Sequence, residues 1–466
     1  MSVGRLGTLV LAAVLAATLA LGAAPAHAAD PAPTVLTVKA APRYADVDTS
    51  VVVRLVQQQD QAPVVGASVT VKRRVDGAWA TIAVVVTDDA GRAGVDQTLE
   101  RDAGDNVFRA TYDGDVLHAA ASSGSYRAPM KRREGVVSVG GPDRVVDEQS
   151  VQVQVRWRAR NGTPVSGRVQ VWRRNGNGDW RRFRRVRTGS DGVAALEVTP
   201  RVDTRWRATS PRLDWVTRDR SRVHGVDNLP PGTRVRLPSG APRPRVGLPR
   251  PDRARGEGAN ASVSRIPDRV WRQMTGRSWH AGCPVGLSGL RLLRVNYWGY
   301  DGYRYRGELV ARTDAVDNMR GALVAMYARD LPIRAMYRVD RFGWSRRLQG
   351  ADDYRSMAAG NTSAFNCRDV VGRPGVRSPH AYGRALDLNT WENPYRSSHG
   401  WVPNAWWPSR SHARVAWRSR DHAVVQVMLA HGFRWTYGTG DSQHFDVPAG
   451  SGRVFAPRAC AGTVCH

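Results

Sequence analysis

The chain has 466 residues, a formal net charge of +28 and a 42% hydrophobic share. That length is too great for one core and implies about three domains. Of the 69 basic residues only Lys39, Lys72 and Lys131 are lysines. A charge carried so completely by arginine points to an anionic polymer as partner. The arginines run along the whole chain without a nucleic-acid fold signature, so no specific nucleic acid is expected, and solvated arginine faces from compositional bias are the plain alternative.

At the start, Arg5 precedes an apolar run from Leu6 to about Leu21 and the small-x-small triplet Ala26, His27, Ala28. This is the pattern of a secretory signal peptide over residues 1–28, cleaved after Ala28, with an uncleaved anchor as the alternative. No other stretch is long enough to span a membrane, so the expectation is a secreted protein, associated with the cell wall, without a transmembrane anchor once the signal is removed.

Residues 33–130 read as short alternating strands, "SVVVRLVQQ", "ASVTVKRRV", "ATIAVVVT" and "NVFRATYDGD", separated by turns such as "DDAGRAG". Residues 131–228 repeat that grammar: Pro63, Gly66 and Trp79 recur as Pro164, Gly167 and Trp180, and "TDDAGRAGV" returns as "TGSDGVAAL". A repeat of this length with this density of turns implies two tandem all-β sandwiches. In pattern they resemble bacterial immunoglobulin-like modules. No catalytic cluster stands out in them. Trp157, Trp172, Trp180 and Trp206 are candidates for stacking on sugar rings, although alternating aromatics in strands more commonly build the core.

Residues 229–262 hold seven prolines, many arginines and almost no large apolar side chain, the composition of an extended, semi-rigid linker. The remainder, 263–466, is expected to fold separately as an α+β domain. In it "TDAVDNMRGALVAMYARDLP" has helical spacing behind a possible cap at Thr313, and "RDHAVVQVMLAHGF" reads as a helix ending at Gly432. "IRAMYRVDRF", "SAFNCRDVV" and "RALDLNTW" read as strands. Cys283, Cys367, Cys460 and Cys465 in an exported chain favour up to two disulfides in any of three pairings, with Cys460 and Cys465 close enough to close a small loop. A four-thiolate zinc site is the alternative, against which stands the lack of a CxxC pair.

Two fragments carry chemistry. "SPHAYGRALDLN" sets His380 and Asp387 on either side of a turn at Gly383, and "DSQHFDV" supplies His444, with Asp441 three residues before it. Histidine nitrogen and aspartate oxygen both suit zinc, which in enzymes takes three protein ligands and leaves one position open. Alone, HxxxxxxD is a weak signal. The joint pattern S-x-H-x-x-G-x-A-x-D-x-N followed by D-x-x-H-F, together with "SWHAGCPV", "DGYRYRGELV", "DDYRSMAAGNTSAFNCR" and "NTWENPY", resembles the zinc-dependent D-alanyl-D-alanine carboxypeptidase and L-alanyl-D-glutamate endopeptidase family of peptidoglycan enzymes, the VanY type.

The resemblance is confined to the last domain. It implies zinc held by His380, Asp387 and His444, Asp441 as acid and base, and Arg368 as the cation on the scissile carbonyl or its oxyanion, with Arg373 the nearby alternative. Ser378 and Asn389 are expected to orient the ligand loop by hydrogen bonds, and Glu392 is a further candidate for that task. His399, His412, His422 and His431 read as surface or helix-end residues. Asp446 competes as base, but its place after His444 reads as a strand face pointing away. Where many relatives carry Trp-Gly-Gly-x-Trp, this chain has "RWTYGTGD", so Thr436 and Tyr437 add bulk at the groove. Peptidoglycan peptides are the expected substrates and anionic cell-wall polymers the expected partners. The competing reading is a non-catalytic cell-wall-binding protein on a peptidase fold.

Overall fold

The computed structural model describes residues 30–370 and 373–450. The signal-peptide segment and both Cys460 and Cys465 lie outside the described residues. The chain is mostly β, with many small sheets and few helices. Among the described residues no helix is long and apolar enough to cross a membrane.

In the first β region, strands β1 (Thr34–Ala40), β2 (Asp48–Gln57) and β5 (Arg92–Thr98) form one antiparallel sheet in the order β1-β2-β5. Strands β3 (Ser68–Val75), β4 (Ala78–Val86) and β6 (Val107–Tyr112) form a second in the order β4-β3-β6. Strand alternation turns Val51, Val53 and Leu55 of one sheet and Val69, Val71, Phe108 and Ala110 of the other into a single buried cluster.

The same order recurs in the second region. Strands β7 (Gly135–Gly140), β8 (Val151–Ala159) and β11 (Val193–Val198) face β9 (Gly167–Asn175), β10 (Arg181–Thr188), β12 (Thr204–Ser210) and β13 (His224–Leu229). Trp157 and Trp206 are fully buried in the cluster between them. Trp172 and Trp180 are half-buried.

Beyond residue 229 the Pro- and Arg-rich segment is extended, as its composition requires, but it is not free. Val235 N–H donates to Tyr300 O (2.8 Å) and Arg245 N–H to Ala358 O (2.9 Å). Trp391 Nε1 donates to Pro242 O and Tyr337 Oη to Pro249 O. Val246 and Leu248 pack on Phe342 and Tyr337, and Leu237 and Ala241 on Trp391 and Trp407. The segment has too few apolar residues for a core of its own, and it spends those few on the core of the following domain.

That domain centres on a sheet of β14 (Ser262–Ser264), β15 (Leu290–Trp298) and β16 (Arg304–Arg312). Helices α1 (Val316–Ala328) and α2 (Ala423–Ala430) bury Met319, Leu323, Met326, Val424, Val427 and Met428 in its cluster. One expectation on helix ends is corrected and one holds. The first helix starts after Ala315 with no side-chain cap, and Thr313 sits in the preceding turn, its N–H bonded to Gly289 O. The second is capped by His422, whose Nδ1 accepts from Val424 N–H, and it stops at Gly432 (φ +79°).

The three strand expectations shrink to short pieces. Among the described residues, only Ala335–Met336, Asp369–Val370 and Ala385–Asp387 of those stretches are in strands, and Val339–Phe342 is a 3-10 turn. An asparagine amide explains the difference at Tyr337, and a second one serves Ala351 nearby. Asn361 both accepts from Tyr337 N–H (2.8 Å) and donates to Tyr337 O (2.9 Å), and Asn366 does the same for Ala351 at 3.1 Å each way. A side chain thus satisfies backbone groups that a neighbouring strand would otherwise take.

Cys283 and Cys367 form a disulfide that closes a loop with a sequence separation of 84. Loop-closure entropy makes such a crosslink worth about 2–4 kcal/mol. The Cys283→Ser, Cys367→Ser double variant should therefore unfold at lower urea concentration, and an unchanged midpoint would refute this.

Candidate metal centre

Ser378 opens the first fragment as the cap of a short 3-10 turn, Pro379–Tyr382, its hydroxyl accepting from His380 N–H at 3.4 Å. Gly383 ends the turn in the left-handed region (φ +67°), and a Cβ there would lie 2.8 Å from the backbone nitrogen of Arg312. The chain then enters strand β17 (Ala385–Asp387), which pairs antiparallel with β18 (His444–Asp446) so that Asp387 stands opposite His444. The turn and the register together bring three residues distant in sequence into one buried cluster.

Gly383→Ala combines a left-handed φ with a backbone clash, and is expected to cost about 1–3 kcal/mol. It should also lower metal content, because the turn carries His380. A denaturant melt beside metal analysis checks both, and a variant with wild-type values in each would show that the turn does not need glycine.

His380, Asp387 and His444 are 0–2% exposed. His380 Nε2 lies 3.2 Å from His444 Nδ1 and 3.3 Å from Asp387 Oδ2, and His444 Nδ1 lies 3.0 Å from Asp387 Oδ1. The remaining ring nitrogens are anchored on the outside: His380 Nδ1 lies 2.6 Å from Ala364 O, and His444 Nε2 lies 3.0 Å from Asp446 Oδ1. With the protons of neutral imidazoles on these outer nitrogens, both inner nitrogens turn lone pairs toward each other and toward the Asp387 carboxylate. Two lone pairs and a carboxylate at such distances call for a shared cation.

A zinc ion bonds nitrogen and oxygen donors at about 2.0–2.2 Å, which sets the edges of a tetrahedron at about 3.3–3.5 Å. The three measured edges approach that spacing, so the donor set fits zinc. The electrostatics agree. Burial by itself pulls the His444 imidazolium down, but the Asp446 charge and the hydrogen bonds to Asp387 and Asp446 outweigh it and hold the group well above its usual value. A second group within ligand distance, His280, Cys283 and Cys367, offers no thiolate because its sulfurs are joined.

The other anticipated residues fall as follows. Asp441 is fully buried at the end of the 3-10 turn Gly438–Gly440, and its backbone pairs with that of Tyr395. Arg368 is buried and ion-paired through Nη2 with Asp353 Oδ2 at 2.6 Å, with the Asp387 charge also acting on it. Arg373 is half-buried on a separate short hairpin. Asn389 does not bond a ligand side chain: its amide accepts from Arg334 N–H and donates to Pro332 O, fixing the loop that follows β17. Glu392 binds Arg334 and Tyr300 and is outside the ligand cluster. His399, His412, His422 and His431 are likewise outside it.

Asp446 is a correction. It points toward His444, not away, because residues two apart on a strand share a face. Thr436, one of the bulky departures, donates to Asp446 Oδ2 at 2.6 Å, and the Tyr437 ring lies 5.3 Å from that of His444. Thr436 therefore steadies the carboxylate behind a ligand, a task invisible in a motif written as spacing. The carbonyl of Ala364 and the carboxylate of Asp353 were also missed, since neither has a sequence signature.

A family model described as D-alanyl-D-alanine carboxypeptidase matches residues 371–447. That segment contains His380, Asp387, Asp441 and His444 but excludes Arg368 and both bonded cysteines. No curated protein matches the chain. Solved structures that match include a tetra-tandem repeat from the extending region of a large adhesion protein, with 11% identity, a TM-score of 0.30, and 60% of this chain and 64% of that one covered. Native E. coli alpha-2-macroglobulin matches with 9% identity and a TM-score of 0.19, over 61% of this chain and 20% of that one. Tandem titin immunoglobulin domains match with 9% identity and a TM-score of 0.20, over 41% and 93%. The chain thus spans less than two thirds of the first two, and these scores are too low to establish a shared fold.

Proposed function

We propose that the C-terminal domain is a zinc peptidase that hydrolyses peptide bonds in peptidoglycan stem peptides, of the D-alanyl-D-alanine carboxypeptidase or L-alanyl-D-glutamate endopeptidase type. The observation that carries this reading is the buried convergence of His380, Asp387 and His444 within the segment that matches the family model. His380, Asp387 and His444 would hold the metal. When bound, zinc supplies a Lewis acid that lowers the pKa of a water toward about 7 and polarises a carbonyl.

The protein's own groups do the rest. Asp441 accepts the proton of the attacking water at its carboxylate as the new C–O bond forms, then delivers it to the amine nitrogen as the C–N bond breaks. Arg368 offers fixed positive charge for the oxygen that becomes negative. Although burial disfavours its charge, Asp353 and Asp387 raise its pKa above the ordinary value, so it stays cationic without solvent. Export and retention by anionic wall polymers complete the reading and would keep the enzyme beside its substrate.

The test is mass spectrometry of purified peptidoglycan digested by the full chain, with a chelated sample and one restored with zinc. Release of D-alanine or of stem fragments only with metal supports the reading, and the product masses name the bond. Zinc-loaded, folded protein that cuts neither would favour the wall-binding alternative.

A further inference from the structure

The outer face of the β10-β9-β12 sheet carries charge of one sign. These strands contain ten arginines and no aspartate or glutamate. Register puts Arg168 opposite Arg187, Gln170 opposite Arg185 and Thr209, Trp172 opposite Arg182 and Arg207, and Arg174 opposite Arg205, while Arg220 of a short flanking strand pairs with Thr209. Paired residues share a face, so eight arginines lie on one side of this sheet. None of them has an ion pair among the described residues.

The aromatic residues on this face are capped. Arg182 and Arg207 lie over the Trp172 ring at 5.6 and 5.5 Å, and Arg207 and Arg174 over Trp180 at 4.3 and 5.4 Å. The indoles hold the guanidiniums in place, and the Nε atoms of Arg174 and Arg207 are covered with no hydrogen-bond partner. Burial, then the charges of Arg220 and Arg174, push the Arg207 guanidinium below its usual value, the signature of crowded positive charge.

The first β region is an internal control. At the equivalent register positions it pairs Ser68 with Val86 and Thr70 with Val84 and Thr111, and Val84 and Val86 are 63% and 61% exposed. Further along the same strands the two regions agree, since Lys72 stands opposite Thr81 and Arg109, Arg74 stands opposite Trp79, and Arg109 lies over the Trp79 ring at 4.4 Å. What the second region adds is the row Arg168, Arg182, Arg185 and Arg187.

We infer that this face binds a phosphodiester polymer without aromatic bases, a polyol phosphate, by bidentate guanidinium contacts to successive phosphates. Arginines two apart on a strand are about 6.6 Å apart and those on neighbouring strands about 4.8 Å, a grid on which a flexible chain of closely spaced phosphates can settle. Capped indoles leave little ring surface for bases or sugars, which disfavours a single-stranded nucleic acid held by stacking. The inference deepens the wall-polymer reading above and is independent of the peptidase chemistry.

The test measures binding of the full chain to immobilised poly(glycerol phosphate) at about 50 and about 200 mM salt. One variant carries Arg168→Gln, Arg182→Gln, Arg185→Gln and Arg187→Gln. A control carries Arg43→Gln, Arg54→Gln, Arg92→Gln and Arg144→Gln, exposed positions elsewhere that remove the same charge. The face variant should lose about tenfold or more in affinity and show a shallower salt dependence, with the control changing far less. Equal losses in both variants would reduce the effect to net charge and overturn the inference. So would tighter binding to oligo(dT) or polyglutamate than to poly(glycerol phosphate). Stem-peptide cleavage by the face variant on soluble fragments should equal wild type, which separates failure here from failure of the peptidase reading.

Discussion

Replacing Asp441 by asparagine is expected to lower turnover of peptidoglycan stem peptides by about 10²- to 10⁴-fold, the usual contribution of a positioned acid and base. The change is nearly isosteric, so the buried turn that presents residue 441 should persist. An amide can neither take the water's proton nor pass it to the leaving amine. Because His380, Asp387 and His444 are untouched, zinc content should stay near that of the wild type. The informative result is therefore the pair of measurements, full metal by elemental analysis and lost turnover. Turnover within a few-fold of wild type would remove Asp441 from the chemistry and return attention to Asp446, although the bonds of Asp446 to His444 and Thr436 already occupy both its oxygens.

The largest expected effect on stability is at Glu392. Its buried carboxylate receives Arg334 Nε at 3.0 Å, Arg334 Nη2 at 2.5 Å and Tyr300 Oη at 3.1 Å. Arg334 also lies over the Tyr300 ring at 4.3 Å, and burial together with the Glu392 charge drives the Tyr300 hydroxyl well above its ordinary pKa. Glu392→Ala leaves an arginine charge largely buried with its main partner gone, a change that typically costs about 3–5 kcal/mol. Glu392→Gln keeps hydrogen-bonding capacity and should cost less. Urea unfolding of both beside the exposed control Glu257→Ala decides the matter, and an alanine variant no worse than that control would show that water takes over the pairing. Since Asn389 of the same loop fixes Arg334 from the other side, loosening here should also weaken zinc retention at β17.

The candidate cluster was legible only through the joint pattern of its two fragments and the resemblance that pattern carries, since HxxxxxxD alone is weak. The left-handed turn at Gly383 and the pairing of β17 with β18 that sets Asp387 opposite His444 emerge only in the fold. What surrounds the ligands was much less so. Period-two alternation should have turned Asp446 toward His444, and only its place after the histidine argued otherwise. The Arg368–Asp353 pair joins positions 15 residues apart through a side-chain bond that no periodicity encodes. The strand expected around Tyr337 is cut short because the Asn361 amide takes the Tyr337 backbone groups, and around Phe365 successive N–H groups go to three separate places, Val310 O, His380 O and Ser278 O, which nothing in local hydropathy signals. In the proline-rich segment composition indicated an extended chain without a core of its own, yet it could not show that Val246 and Leu248 pack on the next domain.

That last feature governs motion. A tether confers freedom only over the part that hangs loose, and here the chain between the second β region and the C-terminal domain is bonded to the domain at Tyr300, Ala358, Trp391 and Tyr337. Arg304 of the C-terminal domain further grips Glu148 of the β region at 2.7 Å. The two therefore move as a jointed arm with a short elbow, not as beads on a string. A protein anchored through its β face would sweep only a narrow shell of wall around its foothold. To work elsewhere it must let go and land again, so the exchange rate of the foothold, more than the speed of the cut, would set how much wall one molecule can process.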